Sequence, residues 1–109
     1  MQISIIMPVH NELEYTKKCI DSIKKNSGNI EFEIIIIDNA SEDGTKDFLK
    51  KETVKYIYNK ENIGVARSWN QGINIATGEY LCIINNDILV CKNWLTSLVQ
   101  VYNSIKMLA

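Results

Sequence analysis

A carboxylate that follows two amide side chains is the strongest candidate for chemistry in this sequence. Asp87 comes after the apolar run 80–84 and after Asn85 and Asn86. The chain has no phosphate loop of the GxxxxGKS or GxGxxG type. A diphosphate bound without such a loop usually has its charge met by a hard divalent cation held on carboxylate oxygen. Asp87 is the predicted ligand of such a cation. The competing interpretation is that Asn-Asn-Asp only turns the chain and caps the last helix.

Four more residues have side chains suited to binding a nucleotide, and each has a second interpretation. Asp38 and Asn39 end a run of isoleucines and could bond to a nucleobase or ribose, or could cap the following turn. His10 could act as a general base, but a lone histidine more often lines a pocket. Arg67 could pair with a phosphate or be a solvated charge on a helix surface. The residues alone leave these alternatives open.

Strands and helices are predicted to alternate along the chain. Short apolar runs predict strands at 2–8, 32–37, 54–58 and 80–84. Helical periodicity predicts helices at 12–26, near 45–49, at 65–76 and from 94 onward, with Asn11 as the N-cap of the first helix. This order implies right-handed crossovers and a parallel sheet between layers of helices. The nearly continuous apolar run at 32–37 predicts a strand that is buried on both faces, and the run at 80–84 predicts a further buried strand.

The polar segments of the chain are predicted to meet at one edge of that sheet. Segments 8–11, 38–41, 59–64 and 85–87 each follow the carboxyl end of a predicted strand. Open parallel sheets bind their ligands at this edge. We therefore expect the candidate residues of all four segments to surround one crevice.

Composition and charge disfavour several other classes of protein. A length of 109 residues, with 46% hydrophobic and 23% charged residues, is typical of one globular domain. The net charge of -1 disfavours a nucleic-acid partner. Three scattered cysteines and one histidine disfavour a disulfide framework or a zinc site. Apolar runs such as 34–37 are far too short for a membrane span and the first residues lack a basic leader, so a cytoplasmic location is expected.

Four segments resemble the motifs of one known family, in the same order. They are 5–12, similar to an opening strand followed by PVYNE; 38–45, similar to D-D/N-x-S-x-D-G-T; 62–72, similar to N-x-G-x-x-x-x-x-N-x-G; and 85–87, in the place of a DxD. His10 replaces the more frequent tyrosine of the first motif. Over residues 3 to about 95 the chain thereby resembles the N-terminal half of the family 2 glycosyltransferases. These are nucleotide-sugar transferases of the GT-A fold.

The resemblance implies an α/β fold, a Rossmann-like three-layer sandwich with a mostly parallel four-stranded sheet. It implies that the backbone of 8–11, with Asp38 or Asn39, holds the base and ribose of a nucleoside diphosphate sugar. Asp87 would bind a Mn²⁺ or Mg²⁺ ion that bridges the phosphates and acts as a Lewis acid on the leaving diphosphate. The nucleotide-sugar-binding residues implied are Pro8, Val9, His10, Asn11, Glu12, Asp38, Asn39, Ser41, Asn62, Gly64, Arg67, Asn85 and Asn86.

Two residues depart from the family pattern. Asn85 stands where the DxD begins with an acid, which removes one formal charge and leaves coordination mainly to Asp87. Asn39 stands where many members have a second acid, although its amide oxygen can still accept a base N–H. A weakened metal site is therefore expected.

The resemblance covers only the first half of a family domain. The second half supplies the acceptor site and the carboxylate base of an inverting transfer. Residues 1–109 are thus expected to form a single donor-binding domain, truncated before the acceptor-binding half and inactive alone, with no catalytic base assigned. In a longer parent protein the acceptor would be a polysaccharide, lipid-linked or protein glycan. That parent protein would bind peripherally at the inner membrane face. Exposed edges and apolar faces predict a homo-oligomer.

Two other classes of function compete with the glycosyltransferase hypothesis. The leading alternative is a non-catalytic nucleotide-binding or assembly module that keeps the fold without turnover, which the missing base and Asn85 both favour. A nucleotidyltransferase would need a glycine-rich basic loop after the first strand, and segment 8–11 lacks it. Nucleotide affinity that depends on a metal would separate the leading hypothesis from the assembly module.

Overall fold

Four strands alternate with four helices, as the sequence predicts. The computed structural model of the protein describes residues 2–108. The elements are β1 Gln2–Val9, α1 Leu13–Asn26, β2 Glu31–Asn39, α2 Thr45–Lys51, β3 Lys55–Asn59, α3 Val65–Ile75, β4 Tyr80–Ile83 and α4 Trp94–Leu108. Every predicted element is present, and the ends differ from the prediction by only one or two residues.

All four strands are parallel, in the order β3-β2-β1-β4. The chain adds β2 and β3 on one side of β1 and then crosses over to place β4 on the other side. Because α3 makes that return crossing, it lies on the opposite face from α1, as right-handed crossovers require. The predicted three-layer α/β sandwich is confirmed.

The core consists mainly of isoleucines that alternate between the two faces of the sheet. Ile3, Ile5 and Met7 of β1 join a large cluster with α1, α2 and α4. Ile6 points the other way and meets Ile35 and Ile37 in a smaller cluster. There α3 lies so close to β1 that a Cβ at Gly72 would be 2.5 Å from Cγ2 of Ile6. The second strand is thus buried on both faces, as its unbroken apolar run predicts.

The prediction that the fourth strand is buried is wrong for one of its two faces. β4 is an edge strand, and its Leu81 and Ile83 remain 48% and 42% exposed. Their Cα partners are Ser4 and Ile6, so they lie on the α3 side of the sheet, where α3 contacts β1 and β2. Only the opposite face of β4, with Tyr80 and Cys82, packs against the large cluster. The apolar run therefore predicted the strand correctly and overestimated its burial.

The predicted N-cap of the first helix is also wrong. Glu12, not Asn11, precedes α1, and its side chain makes no capping hydrogen bond. Both residues have left-handed backbone conformations, with φ of 59° and 57°. The amide of Leu13 instead donates to the Asp43 carboxylate, 30 residues away, at 2.9 Å. A cap supplied from another loop satisfies the helix end and is invisible to local sequence patterns.

A largely buried carboxylate connects the strands at the edge opposite the candidate residues. Glu33 accepts from the Ser4 hydroxyl at 2.5 Å and from the amide and hydroxyl of Thr77, and it pairs with Lys55. Burial by itself would raise its pKa, but these donors outweigh burial and lower the pKa to about 2. The amide of Gly78 bonds to the same Ser4 hydroxyl at 2.9 Å. Glu33 therefore joins β1 and β2 to the turn that leads into β4.

We expect Glu33→Gln to lower the free energy of unfolding at pH 7 by about 1–3 kcal/mol, since it leaves the donors around this carboxylate poorly matched. Because the pKa of Glu33 is lower in the folded protein than its ordinary value, its charged carboxylate stabilises the fold above pH 4.5. This stabilisation is lost as the pH falls toward 2. The variant should therefore lose less stability than the wild type over that window. Urea denaturation at several pH values measures both effects. Glu14→Gln, at a side chain that is 77% exposed, is the control and should change neither.

Candidate functional site

The candidate residues meet at the carboxyl edge of the sheet. Val9 is level with Asp38, and Asn39 is level with Asn59. β4 lies on the other side of β1, and the amide of Ile84 bonds to the carbonyl of Ile6 at 3.0 Å. The strand order reverses between β1 and β4, which is where open α/β sheets form their ligand crevice. Segment 8–11 borders that crevice on one side and segment 85–87 on the other.

Asp38 has one carboxylate oxygen that serves the fold and one that does not. The side chain is fully buried, and its Oδ1 accepts from the Ser41 amide at 3.0 Å. Its Oδ2 is buried and accepts no hydrogen bond from any residue between 2 and 108. The turn interpretation of Asp38 is thus confirmed for Oδ1, whereas Oδ2 is left without a donor among the described residues. A buried charged oxygen without a donor is costly, which favours a ligand N–H or O–H as its partner.

The side chain of Asn39 is used inside the protein. It is 3% exposed, its Nδ2 donates to the Ser68 hydroxyl at 2.8 Å and its Oδ1 accepts from Asn59 at 3.0 Å. Asn59 also exchanges two hydrogen bonds with Gln71, at 2.8 and 2.9 Å. These contacts join the ends of β2 and β3 to α3. The Asn39 side chain therefore supports the crevice floor, and its amide oxygen is already engaged by the protein.

Sequence reasoning missed the two partners of the Asn39 side chain, Ser68 and Asn59, and Gln71, which bonds to Asn59. Ser68 and Gln71 lie three residues apart on α3, and Asn59 ends the third strand at the level of Asn39. Polar residues on the inward stripe of an amphipathic helix were the available signal. Such residues must find hydrogen-bond partners when they are buried, and here they find one another.

His10 has an orienting partner that the sequence did not reveal. Its Nδ1 lies 2.5 Å from the main-chain oxygen of Asn39. Because a carbonyl can only accept, Nδ1 carries a proton, and Nε2 is the ring nitrogen that this contact leaves unused. The His10 side chain is exposed at the crevice, and Nδ2 of the Asn11 side chain lies 3.5 Å from its Nε2. His10 is therefore a crevice residue with a defined ring orientation and not a core histidine.

The segment 85–87 is anchored to the first helix. Asn86 donates to the Thr16 hydroxyl at 3.1 Å, and the Cys19 thiol lies 3.7 Å from the carbonyl of Asn85. Burial, together with the nearby Asp87 carboxylate, raises the pKa of Cys19 to about 11, so this thiol stays protonated at neutral pH. Asp87 itself is exposed in a turn, and α4 begins only at Trp94. The turn interpretation of this segment holds, whereas Asp87 does not cap the last helix.

The donor set at Asp87 fits a cation that takes most of its ligands from elsewhere. Within residues 2–108, no group of three or more His, Cys, Asp or Glu side chains is arranged to hold a metal ion. Asp87 offers one carboxylate, and the neighbouring amides offer neutral oxygens. Mg²⁺ typically binds one or two carboxylates and completes its shell with water and substrate phosphates. This site can serve such an ion, but it is no closed metal cage.

The other predicted residues are distributed around the same edge. Val9 is buried and Pro8 half-buried, while Glu12 is exposed. Asn62 accepts from the Gly64 amide at 3.0 Å, and Gly64, with φ of 82°, precedes α3. This turn brings Arg67 into the first turn of α3, where it is exposed and forms no ion pair within the described chain. Its guanidinium is therefore available to an anionic ligand.

The fold and this edge define an α/β protein of the Rossmann-like kind, with its crevice at the point where the strand order reverses. Residues 4–106 match the family model described as Glycosyl transferase family 2. The chain therefore belongs to the family 2 glycosyltransferases. Within the described residues, no helix is both long and apolar enough to cross a membrane.

Similar proteins are much longer than this chain. It is 29% identical to the glycosyltransferase GlyG of Streptococcus pneumoniae over 103 residues, which are 90% of this chain and 34% of GlyG. It is 33% identical to the abequosyltransferase RfbV of Salmonella typhimurium over 109 residues, which are 94% of this chain and 32% of RfbV. The chain thus spans about a third of the length of these relatives.

Solved structures with the same fold include two proteins bound to nucleotide sugars. Staphylococcus aureus TarS in complex with UDP-GlcNAc superposes with a TM-score of 0.82 at 23% identity, over 95% of this chain and 32% of that one. The mannosyltransferase PcManGT from Pyrobaculum calidifontis, in complex with GDP-Man and Mn²⁺, gives 0.75 at 24% identity, over 84% of this chain and 29% of that one. At these identities the likeness establishes the fold alone.

Proposed function

We propose that this chain is the donor-binding half of a glycosyltransferase and binds a nucleoside diphosphate sugar together with a divalent cation. The observation that carries the proposal is the buried Oδ2 of Asp38, which lacks a donor at the crevice edge among residues 2–108. Family membership and the nucleotide sugars bound by TarS and PcManGT support the same ligand class. The domain would comprise residues 1–109.

Each crevice residue has a proposed part in donor binding. The backbone of 8–11 and the free oxygen of Asp38 hold the base and ribose, with His10 alongside. Asn39 holds the end of β2 in place through its side-chain contacts with Ser68 on α3 and Asn59 on β3. Ser41 orients Asp38, and the Asn62–Gly64 turn starts α3 so that Arg67 can reach the diphosphate.

The opposite side of the crevice holds the cation. We assign Mn²⁺ or Mg²⁺ to Asp87, with Asn85 and Asn86 as neutral neighbours. When bound, the cation stabilises negative charge on the leaving diphosphate as a Lewis acid. Because Asn85 contributes no charge, affinity for the ion rests on Asp87 and on the phosphates of the ligand.

Transfer itself needs groups that we do not find among residues 2–108. No carboxylate is assigned as the base for an acceptor hydroxyl, so we propose that the chain binds donor but does not transfer sugar alone. A glycan or lipid-linked acceptor and an inverting outcome belong to the same proposal for a longer parent, as does a cytoplasmic location. The predicted homo-oligomer would use the apolar groove of about 420 Å³ beside β4, which Leu81, Ile83 and Leu98 line.

Calorimetric titration with UDP, dTDP and GDP, each with MnCl₂ and again with EDTA, tests the proposal. We expect one nucleotide to bind in Mn²⁺ and the binding to disappear in EDTA. Absence of binding in every condition would contradict the donor-site proposal. The non-catalytic assembly module, which the neutral Asn85 also favours, would then be the better description of this chain.

A further inference from the structure

The two loops that follow β1 and β2 are hydrogen-bonded to each other in both directions. Loop 1 comprises residues 10–12 and loop 2 comprises residues 40–44. The Asn11 amide donates to the Ser41 hydroxyl at 2.7 Å. In return, the Asn11 side-chain oxygen accepts from the Glu42 amide at 2.7 Å. Each loop therefore satisfies a backbone donor of the other.

Asp43 adds a third connection, from loop 2 to the start of the helix that follows loop 1. Its Oδ2 accepts from the Leu13 amide at 2.9 Å, and its Oδ1 accepts from the amide and hydroxyl of Thr45 at 3.2 and 2.6 Å. Leu13 and Thr45 are the first residues of α1 and α2. One carboxylate thus caps two helices that start from neighbouring loops, where an anion is favourably placed against both helix dipoles.

The loops adopt backbone conformations that need such support. Asn11, Glu12 and Ala40 have φ near +60°, and Gly44 has φ of 94°. Non-glycine residues in the left-handed region persist only where surrounding contacts hold them. The reciprocal hydrogen bonds supply those contacts, so the loop shapes depend on each other.

The connected loops also carry the proposed ligand groups. Ser41 accepts from loop 1 through its hydroxyl and donates to Asp38 through its amide. His10, at the start of loop 1, is bonded to the carbonyl of Asn39 at the end of β2. A shift of one loop would therefore move both Asp38 and the His10 ring.

We propose that Asn11, Ser41 and Asp43 are positioning residues, which lock loop 1 to loop 2 and hold the nucleotide crevice in its binding shape. Their side chains act through Asp38, His10 and the backbone of 8–11 without needing to touch the ligand. This inference rests on the proposed donor site and deepens it. It also distinguishes residues that share one motif, because Oδ2 of Asp38 is left for the proposed ligand, whereas Ser41 bonds to loop 1 and Asp43 bonds to the first residues of α1 and α2.

Two substitutions remove different bonds of the lock. Asn11→Gly keeps a residue that tolerates positive φ but deletes the acceptor for the Glu42 amide. Ser41→Ala deletes the acceptor for the Asn11 amide and keeps the backbone bond to Asp38. We expect each to weaken Mn²⁺-dependent nucleotide binding by about threefold to tenfold, the size of one hydrogen bond. Hydrogen exchange should quicken at the Glu42 amide in the first variant and at the Asn11 amide in the second.

Rescue and stability controls separate positioning from general destabilisation. Asn11→Asp restores a side-chain oxygen acceptor and should recover most of the affinity that Asn11→Gly loses. Ser27→Ala removes a buried hydroxyl at the far end of α1, where it donates to the carbonyl of Ile23 and accepts from Trp94. It should lower stability and leave nucleotide affinity unchanged.

The outcomes distinguish this inference from the proposed function. If the wild-type chain binds no nucleotide, the donor site and the positioning roles are both wrong. If the wild type binds and both loop variants bind equally well, only the inference fails. Equal losses of affinity in Ser27→Ala and the loop variants would also overturn it, because the effect would then follow stability alone.

Discussion

Replacing Asp87 with asparagine is expected to abolish most of the metal-dependent nucleotide affinity, a loss of more than about 100-fold. Even a change to an outer-shell partner of a metal ligand costs roughly 10- to 100-fold, and Asp87 is the only proposed charged protein ligand. The side chain is exposed in a turn, so the melting temperature should stay the same. Calorimetry in MnCl₂ measures the affinity, and thermal unfolding checks the fold.

Two further variants sharpen this test. Asp21→Asn removes an exposed acid from α1 and controls for net charge, so it should not change affinity. Asn85→Asp adds the carboxylate that the family pattern has at this place and should strengthen Mn²⁺-dependent binding. Unchanged affinity in Asp87→Asn, or wild-type binding that persists in EDTA, would show that no cation at Asp87 supports the ligand.

The elements could be predicted from the sequence because their signals are local. The isoleucine run of β2 and the helical stripe of α3 each depend only on neighbours along the chain. The position of β4 could not be predicted in this way, because an edge strand with one exposed apolar face has the same apolar sequence pattern as a buried strand. Strand order is a property of the whole chain, and the exposed Leu81 and Ile83 follow from it.

The site was predicted as a region more accurately than as a set of contacts. Parallel strands bring their carboxyl ends together, so the segments around Asp38 and Asp87 had to share one edge. Which atoms remain free depends on partners far along the chain. The Asn39 side chain is occupied by Ser68 and Asn59, and the start of α1 is capped by Asp43. Local patterns carry no information about such pairings.

Two of the three acids in β2, Glu33 and Asp38, predict opposite effects on stability. Oε2 of Glu33 accepts hydrogen bonds from Ser4 and Thr77 and its Oε1 is paired with Lys55, whereas Oδ2 of Asp38 is fully buried and accepts nothing from the described residues. In Asp38→Asn the remaining oxygen still accepts from Ser41, and the buried charge disappears. Removing an incompletely paired buried charge is stabilising, and we expect a gain of about 1 kcal/mol in the free energy of unfolding at pH 7.

The same substitution should damage the proposed function. A ligand N–H that bonds to Oδ2 of Asp38 would meet the NH₂ group of the introduced asparagine, so a donor would face a donor. We expect nucleotide affinity to fall about 10- to 100-fold, which corresponds to losing a hydrogen bond to a charged group. Glu33→Gln provides the matched control, since it should lose stability and keep its affinity. If Asp38→Asn loses stability, as Glu33→Gln is expected to do, then Oδ2 has a hydrogen-bond partner in the free protein. In that case Oδ2 is not an unused acceptor for the nucleotide.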